Sequence, residues 1–410
     1  MDVKSGDAFW AVKNGLMCAF PQLKADVGCD VVVIGGGITG SLIADDLGKN
    51  GLDVVVVEQL DIAWGSSAAS TALLQYEIDT HMVDLARMYG EFHAVAAYKA
   101  CAEAITDLRE LANELGDVDF DMQESLYFAS KRSDETALLE EYDLRTKHGF
   151  DAQWLDASSL KERFGIKAPC AILTKLAARV DPYRMASKLF LRLAERGGRV
   201  FDRTVIETIE PSEDNVTLRT PEGFRIQTRH VVMAAGYASQ KWLQQPVAKN
   251  RSSYAFITDP IEPSDLGLLA STMVWESGRP YLYMRTTGEG RLLVGGDDDD
   301  IDIPARRDAR VAAKTNSLSK KVEKLFPDLP MRPVFSWGGT FAETEDGLPF
   351  FGEHPQYGPR VLFALAYGGN GISYSMIGAD LLRANIEGRA HPLAALFGFS
   401  RVASVKRNGI

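Results

Sequence analysis

Cysteine is scarce in this chain: Cys18, Cys29, Cys101 and Cys170 are far apart and form no C-x-x-C. That spacing offers neither a zinc site nor a redox dithiol, and it suits a reducing compartment. Cys29 and Cys170 sit among apolar neighbours and read as inert core residues. The six histidines are scattered without paired ligand spacing, so no metal is expected. Positive charge is also in deficit. With 45 Lys and Arg against 56 Asp and Glu, the net charge of −11 argues against nucleic acid or an anionic membrane as the main partner. No apolar run approaches the ~20 residues that cross a bilayer. Polar residues interrupt residues 1–27 throughout, unlike a secretory signal. The expectation is a cytoplasmic, soluble protein without a transmembrane segment. At 410 residues it has room for two to three domains. The Phe9-Trp10 pair is expected on the surface of an extended lead-in.

Glycine, by contrast, is plentiful at 36 residues, and two clusters of it carry most of the chemistry. Asp30 to Ile34 reads as a buried strand running into Gly35-Gly36-Gly37-Ile38-Thr39-Gly40. A helix over Ser41–Asn50 follows, closed by Gly51, and a second apolar strand over Asp53–Val57 delivers Glu58 and Gln59. Gly35 permits the tight turn, Gly37 lets a pyrophosphate approach the backbone, and Gly40 lets the helix pack on the strand. Ile38 and Thr39 complete the turn that leads into the helix, whose free N–H groups attract phosphate. Glu58 is placed for ribose hydroxyls, and a carboxylate there repels a 2′-phosphate. NADP is disfavoured; FAD and NAD both remain open.

Beyond Glu58, the small residues Gly65 to Leu74 can bring a flat ligand close to the backbone or simply start a tightly packed helix. Leu85, Met88, Phe92, Ala96, Ile105, Leu108 and Leu115 recur near helical spacing, predicting one long or broken helix over Met82–Leu115. A strand at Asp121–Ala129, a helix at Asp134–Lys147, a strand at Ala152–Leu155 and a capped helix at Asp156–Phe164 follow. Asp181-Pro182 opens a helix through Arg196. A meander over Arg199–Thr228 then gives way to a separate strand, Val231–Ala235, returning to the parallel sheet. Ser252–Thr258, Met273–Glu276, Pro280–Arg285 and Arg291–Gly295 alternate as antiparallel strands of a second sheet. Asp297 to Asp300 with Asp302 lacks the glycine and distal glutamate of an EF-hand and reads as a solvated loop.

The second glycine cluster, Tyr367-Gly368-Gly369-Asn370-Gly371-Ile372-Ser373, lies between a strand at Val361–Ala366 and a helix at Tyr374–Glu387. Two helix N-termini at opposite ends of the chain suit one ligand with two electron-rich parts. A flavin fits, because its reduced ring carries negative charge that a helix dipole stabilises. The choice tips toward FAD.

With these segments, together with Val180-Asp181-Pro182, Ala234-Ala235-Gly236 and Trp337–Gly352, the chain resembles the FAD-dependent amino acid and amine oxidase superfamily of D-amino acid, glycine and sarcosine oxidases. The lead-in resembles the γ-glutamylputrescine-oxidoreductase-like branch. The resemblance implies an α/β fold: a Rossmann-like FAD-binding domain (residues 1–83, 181–245 and 336–410) interleaved with a substrate domain (84–180 and 246–335) built on an antiparallel sheet with helices. It implies that Gly35, Gly37, Gly40 and Glu58 hold the ADP moiety. Ser66, Ser67, Thr71, Ala72 and Leu73 would then follow the ribityl chain and ring. Val205 would meet adenine and Gly236 the pyrophosphate. Gly368, Asn370, Gly371, Ile372 and Ser373 would contact the isoalloxazine.

The implied reaction is hydride transfer from a carbon bearing nitrogen to flavin N5, with hydrolysis of the imine. The partners are then a small amine or amino acid and O₂ or another acceptor. Members acting on α-amino acids often carry G-L-R-P before the D-G-x-P turn, where this chain has Phe341 in the arginine's place. Arg285 is the expected replacement clamp. Tyr76, His81, Tyr254, Trp275, Tyr283 and Tyr367 are the other candidate walls, with His81 a possible base or covalent anchor and Tyr367 the leading choice. A flavin-dependent 2-hydroxy-acid dehydrogenase, a non-redox flavin-binding protein and an NAD enzyme stay as alternatives.

Overall fold

The computed structural model describes residues 2–300 and 302–401, so the ends of the expected nucleotide domain, residue 1 and residues 402–410, lie outside the described residues. Two large sheets organise the chain. In the first, Val27–Ile34 is central, with Val54–Val57 and then Arg199–Phe201 parallel on one side. Arg225–Met233 and Gly358–Leu365 lie parallel on the other. Val31, Val32 and Val33 are fully buried, as a strand covered on both faces must be. The helix Ile38–Lys49 packs between the helices Pro182–Glu195 and Gly371–Ile386. Asp181 caps the former by accepting from the Arg184 N–H at 2.9 Å, with Pro182 in the first turn.

The second sheet runs in the order Lys4–Gly6, Pro333–Glu343, Lys249–Pro260, Arg291–Asp299, Leu282–Thr286, Thr272–Glu276, Asp121–Phe128, Cys170–Arg179, Leu73–Gln75. Its pairs are antiparallel except Thr272–Glu276 with Asp121–Phe128. The strand Pro333–Glu343 passes residue 336 without a break. Chain crosses between the two sheets several times, which is the interleaving that the sequence predicts. The small-residue segment from Gly65 to Leu74 and the final glycine turn are both held where the sheets meet.

Several expectations need correction. Phe9 and Trp10 are buried, not superficial: a short helix, Phe9–Asn14, docks them against the core, and the Trp10 indole donates to the Ser70 carbonyl at 2.7 Å. The stretch from Phe224 to Ala235 is not two strands but one, Arg225–Met233, antiparallel to Val216–Arg219 at its start and parallel to Val27–Ile34 throughout. The helix expected to be long or broken is broken at Gly90, but Phe92, expected on its apolar face, lies in the first turn of the second segment, Glu91–Leu115, and stands 80% exposed. The aspartates at 297–299 are not a loop; they finish the strand Arg291–Asp299 and are largely claimed by cations of the helix Pro304–Leu325. That helix escapes a periodicity search because only Arg307, Leu318 and Val322 of its residues are buried. No helix among the described residues is long and apolar enough to cross a membrane.

Candidate active site

The first glycine turn is shaped by its backbone. Gly35 has φ of +122°, and a Cβ there would meet the Ala234 carbonyl oxygen at 2.3 Å. A Cβ on Gly40 would strike the Gly35 oxygen at 1.9 Å, so the helix Ile38–Lys49 sits directly on the turn only because this residue has no side chain. Gly37 differs. A Cβ there would meet nothing but the Ser67 hydroxyl, at 3.0 Å, and otherwise face open space in the cavity. The Glu58 carboxylate accepts from the Gly36 N–H at 2.7 Å and from the Leu60 N–H at 2.8 Å. Burial, more than any neighbour, raises its pKa. Glu58 therefore clamps the loop and keeps further lone pairs free for hydroxyls. Ser67 accepts from the Ile38 N–H at 2.8 Å, tying the small-residue segment to the same helix N-terminus.

The closing turn is held as firmly. Gly368 N–H donates to the Ala342 carbonyl at 2.8 Å, and Gly369 N–H to the Asp79 carboxylate at 3.0 Å. The Asn370 amide donates to the Gln75 and Glu77 carbonyls, both at 3.0 Å. Gly371 then starts its helix, and Thr39 and Ser375 share a hydrogen bond of 2.8 Å between the first turns of the two helices. The two glycine turns thus meet at one place.

A single cavity of ≈ 360 Å³ connects them, within the usual range for ligand pockets. Gly35, Gly37, Ile38, Thr39, Glu58 and Gln59 line one part, with Val205 and Gly236. Ser66, Ser67, Thr71, Ala72 and Leu73 line the middle. Gly368, Asn370, Gly371, Ile372 and Ser373 line the other end. Of the expected contacts only Gly40 stays behind the wall, because its lack of a side chain serves packing. Ala72 has φ of +50°, unusual for a side-chain-bearing residue, in the middle of this lining. A dinucleotide coenzyme fits what is present: a helix N-terminus with an open Gly37, a buried acid, a flat channel floored by small residues and a second helix N-terminus.

The proposed catalytic residues divide. Tyr367 and Tyr254 line the cavity, yet both hydroxyls are occupied: Tyr367 donates to the Gly236 carbonyl at 3.0 Å and Tyr254 to the Asp299 carboxylate at 2.8 Å. Burial raises both pKa values. Trp275 and Tyr283 are also in the wall, whereas Tyr76 is not and packs against Tyr98 and Phe150. Arg285 is no clamp. It is fully buried behind the lining, and its guanidinium donates to the carbonyls of Thr71 at 2.8 Å, Val180 at 2.9 Å and Thr286 at 3.2 Å. Burial pulls its pKa down to about 10. Its place is that of a strut holding the small-residue segment to the second sheet. His81 also lies outside the cavity, 3.0 Å from the Tyr127 hydroxyl, and Tyr127 stacks at 3.7 Å on Trp275. Burial lowers the His81 pKa, and its place outside the lining makes it a supporting residue rather than a base in contact with substrate.

Four charged residues that motif reading passed over do reach the cavity: Asp79, Lys241, Arg279 and Asp298. Arg279 stacks 4.0 Å over Tyr281 and pairs with Glu343 at 3.2 Å. Its position in Ser277-Gly278-Arg279-Pro280, a turn between two strands, was the available signal. Phe341 lines the cavity too. None of the four cysteines is in the lining, and burial pushes the Cys29 and Cys170 thiols up to about 11, which keeps them protonated.

Known proteins are similar to this chain over most of its length. γ-Glutamylputrescine oxidoreductase of Escherichia coli (strain K12) is 24% identical over 402 residues, covering 93% of this chain and 89% of that one. Glycine oxidase of Geobacillus kaustophilus (strain HTA426) is 26% identical over 399 residues, 93% of this chain and 98% of that one. The crystal structure of glycine oxidase from Geobacillus kaustophilus superposes with a TM-score of 0.78 over 92% of this chain and 99% of that one, at 21% identity, and so shares the fold. Residues 30–384 match the DAO family, described as FAD dependent oxidoreductase. The chain belongs to this family of FAD-dependent oxidoreductases.

Proposed function

We propose that the protein oxidises the carbon–nitrogen bond of a small amine or amino acid. The observation that carries this is the composition of the ring-side end of the cavity. Aromatic walls (Trp275, Tyr281, Tyr283) enclose two carboxylates and one guanidinium there, a set suited to a substrate bearing a cationic nitrogen. The relatives named for γ-glutamylputrescine and glycine support the same class. FAD, held by the residues around Gly37, Glu58, Thr71 and Gly371, would supply a two-electron acceptor for a hydride.

The chain's own residues bind, orient and dry the substrate. Tyr254 and Tyr367, with hydroxyls already bonded, act as fixed walls rather than proton carriers. For a substrate that carries a carboxylate, Arg279 offers a guanidinium to meet it. We assign residues 1–83, 181–245 and 336–410 to the coenzyme-binding unit and 84–180 with 246–335 to the substrate unit. We place the reaction in the cytoplasm, with O₂ or another acceptor returning the flavin to its oxidised form. The test is anaerobic mixing of the purified holoprotein with a panel of amines, N-methyl amino acids, D-amino acids and 2-hydroxy acids. Bleaching of flavin absorbance by a nitrogen compound is expected. Bleaching by hydroxy acids alone, or by dithionite alone, would overturn the reading.

A further inference from the structure

Asp297, Asp298 and Asp299 close the strand Arg291–Asp299, and their fates differ. Asp299 accepts from Tyr254 and pairs with Arg310 at 2.8 Å and Lys314 at 3.0 Å. Asp297 faces Lys314 and Lys321, at 3.8 and 4.0 Å. Asp298, between them, faces the cavity, and its Oδ1 is shielded from solvent with no hydrogen-bond partner. The cause lies in the backbone. Opposite Ser253 the register with Lys249–Pro260 slips, because Ser252 pairs with Asp299 while Tyr254 pairs with Gly296. Asp297 takes φ of +54° in this bulge. Bulges re-aim side chains, and this one turns a carboxylate inward that regular alternation would have assigned otherwise.

A buried carboxylate oxygen left unpartnered costs stability unless a ligand supplies the partner. We propose that Asp298 anchors the cationic nitrogen of the substrate, so that the enzyme selects compounds bearing an ammonium at that end. This rests on the amine-oxidising reading above and names the residue that enforces it. Asp79, from the segment after Leu73–Gln75, and Glu343, from Pro333–Glu343, add negative charge around Asp298. Arg279 opposes that negative charge, and Glu343 already pairs with that arginine. Ser253, beside the carboxylate, works against part of the rise in its pKa, and its hydroxyl lies 3.5 Å from that of Tyr283. Burial, reinforced by Asp79 and Glu343, lifts the Asp298 pKa to about 6. As pH falls through that value the carboxylate gains a proton and the anchor loses its charge.

The test uses the holoprotein and three probes of similar shape: tert-butylammonium, tert-butanol and pivalate. The first has no hydrogen on the carbon bearing nitrogen and cannot be oxidised, so binding is read from the shift in flavin absorbance. Tert-butylammonium is expected to bind in preference to the other two, with affinity falling about tenfold per pH unit below about 6. Asp298→Asn should weaken it at least tenfold and flatten that pH dependence, with the ratio of flavin to protein absorbance unchanged. If the variant fails to retain FAD, the wild-type pH series decides alone. A flat wild-type series, no spectral response to tert-butylammonium, or equal binding of pivalate would overturn the proposal. Oxidation of amines together with a flat series would sink the anchor but not the amine reading. Probe binding that depends on Asp298, without oxidation of any amine, would sink the reading but not the anchor.

Discussion

Gly37 and Gly40 stand three residues apart in the same turn, and alanine at each should fail in opposite ways. At Gly40 the new methyl would lie 1.9 Å from the Gly35 carbonyl oxygen, against 3.4 Å for ordinary contact. Helix and strand would have to part by about 1.5 Å, and overpacking on that scale costs about 1–3 kcal/mol or more. The backbone oxygen cannot swing away as a flexible side chain could. The cost falls on the fold itself, so the apoprotein should melt several degrees lower, at about 2–4 °C per kcal/mol for a domain of ~200 residues. At Gly37 the methyl meets only the Ser67 hydroxyl at 3.0 Å and projects into the cavity. Gly37 has φ of −86°, open to any residue, so the apoprotein should change by less than about 1 kcal/mol. The same methyl takes the space a pyrophosphate needs. A penalty of about 1–3 kcal/mol there weakens FAD roughly 5- to 150-fold. Apoprotein melting and FAD titration by quenching of flavin fluorescence separate the two. Gly37→Ala with undiminished FAD affinity would refute the assignment of this turn to the phosphates. An unchanged melting temperature in Gly40→Ala would refute the packing argument.

Other substitutions test the remaining parts of the site. Glu58→Gln puts an amide NH₂ against one of the two N–H groups the carboxylate now accepts from; a lost charge-assisted bond of about 1.5–3 kcal/mol predicts FAD affinity lower by about tenfold to a hundredfold, measured by the same titration. Arg285→Met strips the donor from three buried carbonyls and should destabilise by about 3 kcal/mol in urea unfolding, whereas Arg279→Met, at a half-exposed rim position, should leave stability within about 1 kcal/mol and raise KM. Equal effects of the two on KM would restore Arg285 as a clamp. Tyr367→Phe loses one hydrogen bond to Gly236, about 1 kcal/mol, and should keep kcat within a few-fold and an unshifted pH–rate profile; a fall of a hundredfold or more would make its hydroxyl a proton carrier.

What the sequence made legible was local. Strand, glycine turn, helix and acid from Asp30 to Glu58 are specified by residues within about thirty positions of one another, so no knowledge of distant contacts is needed. The final turn is specified in the same way by Leu365 through Ser373. The strand Cys170–Arg179 was not legible, although it pairs with three others, because its burial is nearly continuous at first and it shows no clean alternation. Trp10 was misplaced because its partner, the Ser70 carbonyl, lies sixty residues away.

The charged residues of the site show why chemistry is harder to read than fold. Arg285 follows three aromatic or apolar residues on a strand, which looks like a binding arginine. In a strand the side chains alternate, so whether position 285 or a neighbour faces the ligand depends on register, and register is set by pairing with other strands. Here Tyr283 reaches the cavity while Arg285, two residues further along, lies behind the lining and finds backbone carbonyls instead. Arg279 escapes the alternation because it lies in the turn before the strand begins. Asp298 escapes it through a bulge that no single-strand pattern reveals. Polar residues at such irregularities, where backbone geometry departs from period two, are the ones free to point at a ligand, so the residues least predictable from periodicity are those closest to the chemistry.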